Sequence, residues 1–232
     1  MDEYVGRRPP SRARKAIGVA ITIAVLVAAY VPTRFLGGHG RVSILDPYLG
    51  PNTSCSSYHY PAGAEYRFEG CSGGQPVRWA RCSTLDVSVD PAHAPATWRQ
   101  DAAYALSRLA EATGLRFRIV GAGGAITMAW SYELLNPTRG AADIAGDTAF
   151  TLQSGLTGVG LRSAAVTISA RLPGGTNPDG EVPVLLHELG HAVGLGHYKG
   201  PEVMNPVVQG FDGYQSGDLA GLAALYRGAG CR

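Results

Sequence analysis

Charge is sparse in this 232-residue chain, with only 16% of residues Asp, Glu, Lys or Arg and a formal net charge of +2. Even that small excess is local. Arg7, Arg8, Arg12, Arg14 and Lys15 stand against Asp2 and Glu3, which leaves 15 basic and 16 acidic residues in the remainder. A folded part so close to neutrality has no basic face for phosphates, which excludes nucleic acid as a partner. Cysteine is scarce as well: Cys55, Cys71, Cys82 and Cys231 have no CxxC spacing, so a thiolate metal ribbon is excluded. No repeat of fixed period is visible, which removes solenoids and propellers. Hydrophobic residues at 45% suffice for one ordinary domain and a small appendage, and 32 Gly with 15 Pro make it rich in turns.

The basic residues 1–15 read as a cytoplasmic N-terminus, because an uncharged run, AIGVAITIAVLVAAYV from Ala16 to Val31, follows them directly. Extended to residue 33, that run is close to the roughly 20 residues of a membrane span and longer than a typical secretory core of about 7 to 15. A retained signal anchor and a cleaved signal peptide both fit. A buried core helix fits less well, since one rarely lacks a polar face. Either export reading leaves the N-terminus inside and the rest of the chain extracytoplasmic, as a single-pass anchored or a secreted protein. Four cysteines beyond the run then predict two disulfides, with three possible connectivities, of which Cys55–Cys71 would close a local loop.

Residues 34–76 are dominated by Gly, Pro, Ser and Tyr without periodicity and read as an irregular linker or small subdomain. The second domain is expected at 77–232, with its first strand at Leu85–Val89 in strict alternation. An apolar stripe of Trp98, Ala102, Ala105, Leu106, Leu109 and Ala112 predicts a helix over 96–113, capped by Gly114. Strands are expected at 116–120, 125–130 and 165–172, a loop with at most one short strand at 136–160, and helices at 181–194 and 216–226. Strands and helices in that order imply an α+β fold with a mixed sheet and a packed site helix.

Residues 187–197 read HELGHAVGLGH. On a helix His187 and His191 lie one turn apart on one face, and Glu188 sits beside them. A third ligand at 197 cannot share that straight face, so the chain must turn, and Gly194 can take the positive φ that a sharp turn needs. His197 then completes a set of three neutral imidazoles. Three histidines leave one tetrahedral position of zinc open to water, the arrangement of a catalytic site. Bound zinc lowers the water's pKa to roughly 7, and Glu188 can take its proton. A helix with surface histidines is the plain alternative, and a match at all five specified positions of HExxHxxGxxH weighs against it.

That run followed by Val203-Met204-Asn205-Pro206 resembles the metzincin metallopeptidases, in which a methionine-containing turn lies beneath the zinc. Gly217–Tyr226 is similar to the closing helix of the matrixins, and residues 76–89 with 112–117 resemble secreted bacterial proteins of that type; residues 1–75 show no resemblance. The resemblance implies a metzincin-like twisted mixed sheet, His187, His191 and His197 as ligands of one catalytic Zn2+, Glu188 as general base and Met204 as the supporting turn residue. It also implies an extended peptide bound beside an edge strand, for which residues 125–130 are the candidate. Departures exist: no PRCGxPD switch is present, Arg81-Cys82-Ser83 being too poor a match, and there is no His and Asp cluster for a second zinc and no acidic calcium loop.

The expected function is therefore a zinc-dependent metalloendopeptidase acting on extracellular or cell-envelope proteins, with a protein or peptide substrate as partner and a membrane contact through the N-terminal segment. Specificity is expected in the loop 207–215. The alternatives are a cell-surface binding module that keeps the zinc for structure, and a hydrolase of a small non-protein amide. His39, His59 and His93 read as isolated residues. Tyr214 reads as a packed or exposed loop residue, with a role as a transition-state donor as the sharper option. Asp218 reads as a helix N-terminal residue that complements the dipole, and the resemblance adds a role in orienting the site helix.

Overall fold

A five-stranded mixed sheet backed by three helices accounts for most of the computed structural model, which describes residues 55–135, 144–155 and 158–227. These residues belong to one compact unit, His39–Arg232. The basic N-terminus, the apolar segment 16–33 and Cys231 lie outside the described residues. Among the described ones no helix is long and apolar enough to cross a membrane.

Three two-residue strands come first: β1 (Arg67–Phe68), β2 (Cys71–Ser72) and β3 (Gln75–Pro76). The main sheet follows, with β4 (Thr84–Val89), β5 (Arg116–Val120), β6 (Ile126–Ser131), β7 (Gly146–Gly155) and β8 (Gly158–Ser169) in the order β5-β4-β6-β8-β7. All neighbours are parallel except β7, which runs antiparallel to β8. Alternation builds the core face: Leu85 and Val87 of β4, Ile126, Met128 and Trp130 of β6, and Val166 and Ile168 of β8 are buried. Helix α1 (Trp98–Thr113) turns Ala102, Ala105, Leu106, Leu109 and Ala112 inward and ends at Gly114, whose φ of 73° takes the left-handed cap. Helix α2 (Glu181–Ala192) is buried along its whole length, between α1 and the β7–β8 side of the sheet. Val182, Val184, Leu185, Leu186 and Leu189 each contribute roughly 1.5–3 kcal/mol by leaving water. A short strand β9 (Leu195–Gly196) and helix α3 (Ser216–Tyr226) complete the unit.

Two expectations change. The strand expected at the edge, 125–130, is interior: β6 lies between β4 and β8, and β7 holds the edge instead. Residues 146–155, expected within a loop, form that ten-residue strand. Their buried positions Thr148, Phe150 and Leu152 do alternate, but a buried Thr at one of them and an exposed Ala between them mask the pattern.

Residues 55–76 also differ from a linker that ends before a domain start near Val77. Tyr66, Phe68 and Cys71 belong to the same buried core as the helices. The reason is pairing: Arg67 and Phe68 of β1 lie antiparallel to Gly196 and Leu195 of β9. A disulfide joins Cys55 to Cys71, the local closure that was one of three possibilities. Cys82 is disulfide-bonded as well.

Candidate metal centre

The C-terminal end of α2 is held by side chains from distant parts of the chain, Trp79 and Tyr226. The last carbonyls of a helix lack intrahelical donors. Trp79 Nε1 donates to Ala192 O at 2.8 Å, and Tyr226 Oη donates to Val193 O at 2.7 Å. Gly194 then takes φ 104°, and a Cβ there would stand 2.7 Å from Val77 O, so only glycine allows both the turn and the approach. The chain reverses through β9 and delivers His197 to the face that already carries His187 and His191.

The Nε2 atoms of these three histidines lie pairwise 3.1 Å apart. Their tautomers follow from what the other nitrogens face. His187 Nδ1 is 2.7 Å from Val203 O and His191 Nδ1 is 2.8 Å from Leu195 O. A carbonyl only accepts, so both Nδ1 atoms carry hydrogen and both Nε2 atoms present lone pairs. Two lone pairs at that distance repel, and a cation between them removes the repulsion. The three histidines are therefore close enough to hold one metal ion. Burial, with help from the neighbouring His191, pushes His187 down to about 3, so this ring stays neutral and available as a ligand. Burial opposes charge on His191 as well, but Glu69, Glu188 and the Leu195 carbonyl together outweigh it and the net direction is upward. His59 and His93 belong to no such group among the described residues.

Glu188 is 5% exposed. Thr148 Oγ1, on β7, donates to its Oε2 at 2.7 Å. Burial raises the carboxyl to about 7, against the pull of His191 and Thr148. Space for it comes from Gly146: a Cβ at that position would lie 2.6 Å from both Cγ and Oε1 of Glu188. The acid therefore sits between the histidine face and the edge strand.

Met204 lies under the site helix, where a Cβ on Gly190 would collide with its Sδ. Asp218 fixes that turn. Its Oδ2 accepts from Val203 N at 2.7 Å and from Gln215 N at 2.9 Å, while Oδ1 accepts from Met204 N at 3.1 Å. Its own amide donates to Glu202 Oε2 at 3.0 Å. Asp218 thus caps α3 and locks the turn whose Val203 carbonyl orients His187, which joins the two roles the sequence left open. Tyr214 is turned away from a transition-state role: its buried hydroxyl donates to Leu186 O at 2.9 Å. In the loop 207–215, Val207 is 70% exposed, whereas Val208 and Phe211 pack against the core.

At the other end of α2, Glu181 is fully buried and accepts from Trp130 Nε1 at 2.7 Å through Oε2. Its Oε1 has no hydrogen-bond partner. Burial and the adjacent Asp101 raise it to about 8. Asp101 Oδ2 accepts from Gly175 N at 2.9 Å.

Sequence reasoning found the three histidines, Glu188 and Met204, and the structure brings them together. It missed Thr148, Gly146 and Glu69, which reach the site from the edge strand and from the 55–76 segment. No protein-family model matches the sequence, and comparison with curated proteins finds no match.

Proposed function

We propose that the chain is a zinc-dependent metalloendopeptidase of metzincin type, similar to the matrixins. One observation carries the reading: three histidine Nε2 atoms converge at 3.1 Å beside a buried carboxyl, at the edge strand of a sheet. The donor set fits zinc, because His187, His191 and His197 would supply the imidazole nitrogens that this ion takes in catalytic sites, already gathered within 3.1 Å of one another. When bound, zinc would polarise a carbonyl and acidify a water.

The remaining chemistry belongs to the chain. Glu188, raised to about 7, is poised to accept a proton from water near neutral pH and to hand it to the departing amine. Thr148 holds the carboxylate in place during both transfers. Among the described residues β7 pairs only with β8, so its other edge offers main-chain donors and acceptors to an extended peptide, which suits a protein substrate better than a small amide. The basic residues 1–15, the apolar run 16–33 and the Cys55–Cys71 disulfide support an extracytoplasmic location with a membrane anchor or a cleaved signal.

The test is digestion of an unfolded protein mixture by the purified chain with added zinc, beside Glu188→Ala and a chelated sample. Cleavage lost in both controls supports the reading. Intact substrate with one zinc bound favours a binding module that keeps the metal for structure.

A further inference from the structure

We infer that Glu69 is a positioning residue of the metal centre, and that the disulfide-stapled segment 55–76 is a working part of it. The inference rests on the reading that His187, His191 and His197 hold a divalent ion.

Glu69 Oε2 lies 3.1 Å from Nδ1 of His191. That nitrogen carries hydrogen, because its other neighbour is the Leu195 carbonyl at 2.8 Å. The Nδ1–H is thus shared between a carbonyl and a carboxylate, and Nε2 is left to face the other two histidines. A carboxylate behind a ligating imidazole fixes the ring's tautomer and orientation and strengthens it as a donor. Charge acts in the same direction. Three neutral imidazoles do nothing to balance a dication, whereas the half-buried Glu69 carboxylate, 18% exposed, stands one imidazole away from it.

The backbone shows that this placement is built. Glu69 N donates to Gly194 O at 2.9 Å, and Phe68 pairs with Leu195 across β1 and β9. Gly196 makes the approach possible: a Cβ there would stand 2.7 Å from Phe68 O. This explains a glycine that the HExxHxxGxxH pattern does not specify. On the other side Tyr60 Oη accepts from Phe68 N at 3.0 Å, and Cys71, two residues beyond Glu69, is 1% exposed and bonded to Cys55. The carboxylate is therefore anchored on both flanks, from a segment more than a hundred residues before His191.

The experiment measures zinc and cobalt(II) affinity of the full-length protein in detergent by competition with a chromophoric chelator. Wild type is compared with Glu69→Gln, Glu69→Asp, Glu69→Ala and His187→Ala. Loss of the outer carboxylate is expected to weaken metal binding about 10- to 100-fold in Glu69→Ala and Glu69→Gln. Glu69→Asp should restore part of it. The visible spectrum of bound cobalt should shift in the Gln variant, with the melting temperature of the metal-free protein unchanged, which a merely structural role would not produce. Affinities within twofold of wild type in both the Gln and Ala variants would overturn the inference while leaving the proposed function standing. A wild type that binds no better than His187→Ala would sink both.

Discussion

Glu181 offers a prediction that needs neither metal nor substrate. Its carboxyl ionises at about 8 in the folded chain against an ordinary value of 4.5, because it is fully buried and faces Asp101. The folded state therefore keeps a proton that the unfolded state releases between pH 4.5 and 8. Over that window stability falls as pH rises, since the unfolded chain binds fewer protons, and it levels off once the folded chain also ionises. At about 1.4 kcal/mol per pH unit, the loss is on the order of 5 kcal/mol, a large share of a typical domain's stability. Glu181→Gln replaces the acid with a neutral group of the same shape that can still accept from Trp130. Guanidinium denaturation of both proteins, with chelator present, at intervals from pH 4.5 to 9 reads the effect. The difference between the two stabilities should grow in favour of the variant by several kcal/mol as pH rises, with unchanged slopes against denaturant. Stability curves that run parallel across the whole window would refute the reasoning, whatever their constant offset.

Gly146→Ala places a methyl 2.6 Å from Glu188 Cγ and Oε1, so Glu188 must move away from the edge strand. On the proposed function, peptidase activity should drop about 10²- to 10⁴-fold, the usual contribution of a general base, while zinc affinity stays near wild type in the same competition assay. Thr148→Val removes the donor that holds Glu188 Oε2 and lowers its pKa. The acidic limb of the pH–rate profile should move to higher pH, and a limb that stays put would remove Thr148 from the site. Replacing both Cys55 and Cys71 with Ser opens a link across 16 residues. A stability loss of about 3 kcal/mol is expected by thermal or denaturant unfolding, together with weaker metal binding as Glu69 loses its anchor.

The site helix was legible because its chemistry is local. His187, Glu188 and His191 lie within one turn, and a glycine at 194 predicts the reversal that returns His197. The stripe of α1 and the alternation of β4 were equally plain, since a fixed period of 3.6 or 2 shows in a short window. β7 was not, because its buried positions include Thr148 and the stretch around it is rich in Gly and Thr, so composition pointed to a loop. The edge position of β7 and the interior position of β6 were beyond any local pattern, because strand order depends on which elements pair, not on what each contains.

Residues 55–76 show the same division at the site itself. Their composition reads as spacer, yet they place Glu69 on His191 and add Tyr66 and Phe68 to the core. By itself the sequence determined which residues can hold an ion, the helical period that puts two of them on one face, and the turn that brings the third. Only the tertiary structure decided what surrounds them: Glu69 behind His191, Gly146 and Thr148 around Glu188, Asp218 beneath Met204 and Asp101 against Glu181. Ligand spacing is set by the geometry of a single helix and its exit. Tautomer, proton affinity and orientation are set by burial and by groups up to 122 residues away, which meet only when the chain has folded.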